Sequence, residues 1–260
     1  MGLSPAQMKN AENVIARSIR NKLENYKPEP AEMPFHTRLL GEDRLALYKF
    51  IHSLNTSFGT RIFEPVAESL AQEKFASVAS QKKSGSKIST AAQIEIQKIM
   101  DGLLTSATKP NKPEEIEKIR RVAQKGEMVK AKPTKIDLMV ETEKGGVFLF
   151  DIKTAKPNAG GFKEFKRTLL EWTAVTLAVN PEADVNTLIA IPYNPYAPKP
   201  YERWTIGGML DLNCELKVAE EFWNFLGGEN SYEDLLGCFE RVGIELREEI
   251  DEYFARFKSS

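Results

Sequence analysis

The feature that most constrains this 260-residue chain is a change of hydrophobic period at Lys135. From that point Lys135-Ile136-Asp137-Leu138-Met139-Val140 alternates as a strand does, and Glu143-Lys144-Gly145-Gly146 supplies a turn. Val147-Phe148-Leu149-Phe150-Asp151-Ile152-Lys153 then returns as a second strand. A hairpin folded about Lys144 sets Asp137 opposite Asp151, and alternation puts Asp151 and Lys153 on one face. Two carboxylates and an ammonium thus share one patch of an otherwise apolar hairpin. Asp is depleted in strands, so its place at the end of such a run needs a reason. Paired carboxylates repel unless a cation sits between them, and hard oxygen donors suit Mg²⁺. Such a cation would grip a phosphate oxygen and lower the pKa of a bound water, with Lys153 orienting that water or stabilising a five-coordinate phosphate. The plain alternative is an ordinary Asp–Lys cross-strand pair on a surface hairpin.

Around the hairpin the chain reads as helices. Ser4 caps a helix to Tyr26, with Pro5 in its first turn and Val14, Ile15, Ile19 and Leu23 on one stripe. Pro28, Pro30 and Pro34 break it. Further helices are expected over Leu45–Leu54, Ile62–Phe75 and Ser89–Leu104, and from Pro110–Pro113 to about Gln124. Gln81 to Lys87 reads as a flexible basic loop. After the hairpin, Gly160-Gly161 precedes a helix over Phe162–Val179, with Trp172 in the core. Thr187 to Ile191 is a wholly apolar strand, the signature of burial on both faces. Lys217–Leu226 and Tyr232–Phe257 close the chain as helices. With no internal repeat or linker, the economical reading is one α/β domain over 1–260: a mainly helical part (1–125), a hairpin–helix–strand core (133–205) and acidic C-terminal helices (211–260).

Composition removes several classes. Hydrophobic residues are 42% and charged residues 28%, which excludes a disordered chain, a collagen-like fibre or a coiled-coil rod. No apolar run reaches the roughly 18–20 residues of a membrane helix. The start has neither a secretory h-region nor a myristoylation signal, so a cytoplasmic protein is expected. Cys214 and Cys238 make no disulfide framework or zinc site and read as buried apolar side chains. His36 and His52 have no partner at ligand spacing and receive no catalytic role.

The net charge of −1 hides a division. Lys74–Asp137 holds 14 Lys/Arg against 7 Asp/Glu, whereas Asp211–Ser260 holds 5 against 13. A polyanion-facing middle and a solvated or subunit-facing tail would produce this, as would plain wet helix surfaces. The stripe Leu235, Leu236, Phe239, Val242, Leu246, Ile250 and Phe254 fits a core helix or a dimer face. The loop from Pro192 to Trp204 follows the apolar strand, and its prolines stiffen it. There Tyr193, Asn194, Tyr196, Lys199 and Arg203 are candidates for touching nucleic acid, Arg203 first for a guanine, unless the loop merely covers the core. Lys156, Asn158, Lys163, Lys166 and Arg167 read as phosphate contacts, and Lys82, Lys83 and Lys87 as a backbone clamp or as solvated charge.

Asp137, thirteen residues, then Asp151-Ile152-Lys153, followed by a helix and a buried strand, resembles the PD-(D/E)XK nuclease core. Two positions depart from that pattern: Ile136 replaces the usual Pro, with Pro133 further upstream, and the second acid is Asp. Asp151-Ile-Lys-Thr-Ala-Lys-Pro-Asn158, Ile191-Pro-Tyr-Asn-Pro-Tyr196 and Phe222-Trp-Asn-Phe-Leu-Gly-Gly228 further resemble the TdeIII-like type II restriction endonucleases, a likeness covering about Phe58 to Phe257. The resemblance implies a small mixed central sheet flanked by helices, with helical N- and C-terminal regions. It also implies Mg²⁺-dependent double-strand cleavage at a short palindrome, GGNCC, leaving 5′-phosphate and 3′-hydroxyl ends. In that reading Asp137, Asp151 and the Ile152 carbonyl hold Mg²⁺, Lys153 positions the water, and a helical Glu assists. Phe63-Glu64-Pro-Val-Ala-Glu68 is similar to that helix, and Glu64, beside Phe63 at the helix start, is preferred over Glu68. A palindromic target implies a homodimer on double-stranded DNA, and a restriction system implies a cognate methyltransferase. Two rivals remain: a structure-selective repair or recombination nuclease with the same core, and a DNA-binding module that never cuts.

Overall fold

The computed structural model describes residues 2–27, 32–153, 161–201 and 208–255. The first helix, α1 (Pro5–Asn25), starts where expected: the Ser4 hydroxyl accepts from Gln7 N at 3.1 Å, and Gln7 Oε1 accepts from Ser4 N. Then come α2 (Pro34–Leu40) and α3 (Glu42–Phe58), a π-helical turn (Gly59–Phe63) and α4 (Glu64–Ala71). Pro34, read above as a breaker, opens α2; a proline is tolerated in a first helical turn, where its missing N–H has no partner to lose.

Next are β1 (Ser77–Lys83), β2 (Lys87–Ser89), α5 (Thr90–Leu104), α6 (Lys112–Arg120) and β3 (Met128–Lys130). Here the expected basic loop is overturned: residues 81–83 belong to an edge strand, and Lys87 starts the small ribbon β2/β3. Ser77-Val-Ala-Ser-Gln-Lys-Lys shows little strand patterning, because an edge strand exposed over most of its length needs no apolar face.

The hairpin forms as expected from β4 (Lys135–Glu141) and β5 (Val147–Ile152), followed by α7 (Gly161–Val179) and β6 (Val185–Ile191). The chain continues with α8 (Leu212–Glu215), β7 (Leu216–Val218), α9 (Glu220–Gly227), α10 (Ser231–Glu245) and α11 (Arg247–Ala255). Lys217 therefore lies in a short strand rather than a helix, drawn out by pairing with Ala190. The last expected helix is divided at Leu246, whose ψ of 6° leaves the helical region.

The sheet order is β1-β4-β5-β6-β7, antiparallel from β1 to β5 and parallel from β5 to β7. Both faces are covered. Leu149, Ile189 and Ile191 meet α5, α6 and α7, with Trp172 fully buried among them. Phe150, Ile152, Leu188 and Ala190 meet α1, α4, α9 and α10, with Trp223 in that layer. This explains why β6 carries no polar face. Among the described residues no helix is long and apolar enough to cross a membrane.

Two expectations about single residues are corrected. Cys214 is exposed, and only Cys238 is the buried thiol. Lys166 is fully buried: its Nζ lies 2.5 Å from Glu115 Oε2 and 2.6 Å from Glu215 Oε2. Lys112 joins the same cluster, 3.1 Å from Glu215 Oε1 and 2.6 Å from Thr187 Oγ1. Lys166 is thus a core ion-pair partner tying α6, α7 and α8 together, and it is closed to phosphate.

Candidate active site

The β4/β5 register runs from Leu138↔Phe150 to Glu141↔Val147, the pairing that a fold about Lys144 requires, and Asp137 and Asp151 are the next residues beyond its open end. Gly145 takes a φ of +83° in the turn, open to glycine without steric cost. At the open end Asp137 Oδ2 accepts a hydrogen bond from Ile152 N at 2.8 Å. This bond fixes the Asp137 carboxylate against the neighbouring strand. Asp151 is 7% exposed, and Lys153 Nζ stands 2.5 Å from its Oδ1. Burial pushes the Asp151 carboxyl up to about 6; the Lys153 ammonium opposes that rise and the Asp137 charge adds to it. Lys153 Nζ also stands over the ring of Phe165 on α7, 5.0 Å from the ring centre.

Glu64 closes the cluster from α4. Glu64 opens α4 directly after the π-helical turn and is only 3% exposed. Its carboxyl is pushed up to about 7, first by burial and then by the Asp137 charge, with Lys135 and Lys153 pulling the other way. Glu68, one turn on, instead accepts from Ser80 Oγ at 2.7 Å and is half-buried. The Glu64 carboxyl feels the charges of both Asp137 and Asp151.

Sequence reasoning missed one neighbour of this cluster. Gln81 Nε2 donates to Glu64 Oε2. Gln81 lies across from Asp137, between the pairs Ser80↔Leu138 and Lys82↔Ile136, and has a φ of +54°. A non-glycine residue in that region is strained, and such strain gathers at functional sites. The distortion has a counterpart in β4: Ile136 packs with the α5–α7 layer and Leu138 with the opposite one, although strict alternation would place both on one face. Nothing local in the sequence marks Gln81, because its importance comes from pairing with a strand more than fifty residues away.

The donor set is all oxygen, which suits a hard divalent cation. Among the described residues no three His, Cys, Asp or Glu side chains form a ready-made metal cage. Mg²⁺ does not require one, since it is bound by one or two carboxylates and completes its shell with water and substrate phosphate. Two buried carboxyls with raised pKa values beside a third acid mark a place where added positive charge lowers the energy. The residues therefore fit Mg²⁺.

Because β5 and β6 run parallel, the loop after Ile191 leaves the sheet at the same end as Lys153. Trp223 Nε1 donates to Pro192 O at 2.7 Å and anchors the loop's root. Asn194 is committed within the loop: its Nδ2 donates to Lys199 O at 2.8 Å and its Oδ1 accepts from Tyr196 N at 2.9 Å. Tyr193 and Lys199 are exposed, and Tyr196 is half-buried with its ring 5.8 Å from that of Tyr201. Lys163, Lys82, Lys83 and Lys87 are exposed, and Arg167 donates to Gln97 Oε1 at 2.8 Å. Lys156, Asn158 and Arg203 lie outside the described residues.

Comparison with known proteins gives this geometry its context. The family model described as "Type II restriction endonuclease, HinfI" matches residues 4–243. Among curated proteins, the chain is 25% identical over 221 residues to the type II restriction enzyme HgiCII of Herpetosiphon aurantiacus, covering 84% of this chain and 80% of that one. It is 25% identical to HgiEI of the same organism over 245 residues, 90% of this chain and 88% of HgiEI. The type II restriction enzyme MjaII of Methanocaldococcus jannaschii is 27% identical over 198 residues, covering 72% of this chain but only 52% of MjaII. The family model spans the hairpin, the Glu64 helix and the loop after β6 together, so this chain belongs to the HinfI family of type II restriction endonucleases.

Proposed function

We propose that the protein is a Mg²⁺-dependent restriction endonuclease that hydrolyses both strands of duplex DNA at a short palindrome, leaving 5′-phosphate and 3′-hydroxyl ends. The observation that carries the reading is the meeting of Glu64, Asp137, Asp151 and Lys153 at one end of the sheet. Asp137 and Asp151, with the Ile152 carbonyl and Glu64, would hold the cation. When bound, Mg²⁺ supplies positive charge to the scissile phosphate and makes water a better nucleophile at neutral pH. Lys153, fixed between Asp151 and Phe165, orients the attacking water and faces the charge that develops on phosphorus. The water oxygen bonds to phosphorus and releases a proton to solvent, the bond from phosphorus to the 3′ oxygen breaks, and that oxygen takes up a proton from solvent. Gln81 holds the Glu64 carboxyl in place meanwhile.

The likeness to the TdeIII-like enzymes adds GGNCC as the site. Tyr193, Tyr196, Lys199 and Arg203 belong to base and backbone contact in this reading, and Lys156, Asn158 and Lys163 to phosphate contact. One 260-residue domain acting as a cytoplasmic homodimer, beside a methyltransferase protecting the same site, completes the proposal.

The test is digestion of a sequenced plasmid with wild-type protein in Mg²⁺ and in EDTA, beside Lys153→Ala. Discrete Mg²⁺-dependent fragments that disappear in the variant are expected, and sequencing their ends gives the site. A uniform ladder would favour a structure-selective nuclease. An intact plasmid accompanied by a gel shift would reduce the protein to a binding module.

A further inference from the structure

Cross-strand pairing places lysine opposite lysine twice. Lys83 on β1 faces Lys135 on β4, and Lys87 on β2 faces Lys130 on β3. All four are exposed, and among the described residues no carboxylate lies in salt-bridge range of any of them. Directly opposed residues on a sheet have their Cβ atoms about 5 Å apart, and like charges there oppose folding. Among the described residues no ion pair offsets the repulsion, which leaves both rungs open to an external anion.

The position of the rungs defines that anion. The chain runs continuously from one rung to the other, with Ser84 N donating to Thr134 O at 2.8 Å and Ala131 N to Ser86 O at 2.8 Å between them. The first rung borders the catalytic cluster: Lys135 is two residues from Asp137 on β4, and Lys83 is two residues from Gln81 on β1. Two ammonium groups facing each other at this spacing suit one phosphate oxygen pair. Two such rungs in succession suit a chain of phosphates rather than a single anion.

We infer that the rungs Lys83–Lys135 and Lys87–Lys130 form a ladder that carries the DNA phosphate backbone away from the catalytic hairpin. The inference rests on the nuclease reading of the same site and assigns Lys130 and Lys135 to it from the structure alone. As phosphate contacts, the rungs position the duplex without reading its sequence. The ladder therefore sets affinity and salt dependence but not site choice.

The experiment measures binding of a duplex containing the cleavage site by full-length protein in EDTA across a range of NaCl concentrations. Wild type is compared with Lys83→Ala, Lys135→Ala, Lys87→Ala, Lys130→Ala and the two double-rung variants. Each removed phosphate contact should flatten the slope of log K against log[NaCl] by about 0.9, so each double variant loses about twice that. The fragment pattern in Mg²⁺ should stay the same, and the Tm of Lys83→Ala, Lys87→Ala, Lys130→Ala and the Lys87/Lys130 double variant should hold or rise because a repulsive pair has gone. Slopes equal to wild type, with wild type itself binding and cutting, would overturn the ladder and leave the nuclease intact. A wild type that neither binds nor cuts duplex DNA would overturn both. Slopes that fall together with a lowered Tm in Lys83→Ala, Lys87→Ala or Lys130→Ala would also refute it, since the lysines would then be structural.

Discussion

Replacing Glu64 by glutamine tests the electrostatic argument for the site without any catalytic assay. Glu64 is 3% exposed, and its carboxyl is pushed from an ordinary 4.5 to about 7 by burial and by Asp137. A carboxyl raised in the folded state favours folding fully below its unfolded pKa, and that advantage is lost as pH rises through the folded value. For Glu64 the loss runs from about 4.5 to about 7, and above it the metal-free protein carries the whole penalty. An elevation of this size corresponds to at most roughly 3 kcal/mol. The glutamine amide of Glu64→Gln fills the same space and still accepts from Gln81, but it does not titrate. In EDTA at pH 8 the variant should therefore melt above wild type by on the order of 5 °C, with the gap nearly closed at pH 5. Scanning calorimetry at the two pH values reads the difference. Added Mg²⁺ should then raise the wild-type Tm at pH 8 more than that of the variant, while Glu68→Gln should behave as wild type. A Glu64→Gln protein no more stable than wild type at pH 8, or equally more stable at both pH values, would refute the argument.

Two other outcomes follow from the same geometry. Cleavage at limiting Mg²⁺ should fall as pH drops through about 7 and about 6, because protonated Glu64 and Asp151 no longer attract the cation. Higher Mg²⁺ should restore part of the loss, and a flat pH–rate profile down to about pH 5.5 would count against these carboxyls as ligands. Lys166→Met should lower stability by about 3–5 kcal/mol, since Glu115 and Glu215 would be left buried without their shared cation. Urea denaturation measures it, and an unchanged midpoint would mean that the cluster relaxes to water.

The hairpin was legible because its information is local. Alternation from Lys135, the Gly145-Gly146 turn and the symmetric spacing about Lys144 fix a register that places Asp137 against Asp151. The helices with strong caps, such as Ser4 before α1 and Ser89 before α5, were legible for the same reason. β1 was not, because Ser77–Lys83 lies at an edge and is mostly exposed, so no period-2 pattern is imposed on it. With β1 unseen, Gln81 and the Lys83–Lys135 rung could not be found. Lys166 failed as a phosphate contact for a related reason: Glu115 and Glu215, which bury it, lie about fifty residues away on each side.

Residue order alone settles the elements whose signals fall within one turn or one hairpin. It thus settles which acids and which lysine could share a face: Asp137, Asp151 and Lys153. Packing decides which glutamate joins them, because Glu64 and Glu68 sit on one helix face and only the sheet's position tells them apart. Packing also seals one lysine of α7 in an ion cluster while Lys83 and Lys135, and Lys87 and Lys130, face solvent in opposed pairs. Charge carries no local record of its partner. Its role is set by what the folded chain brings within a few ångströms of it, and that distance exists only in three dimensions.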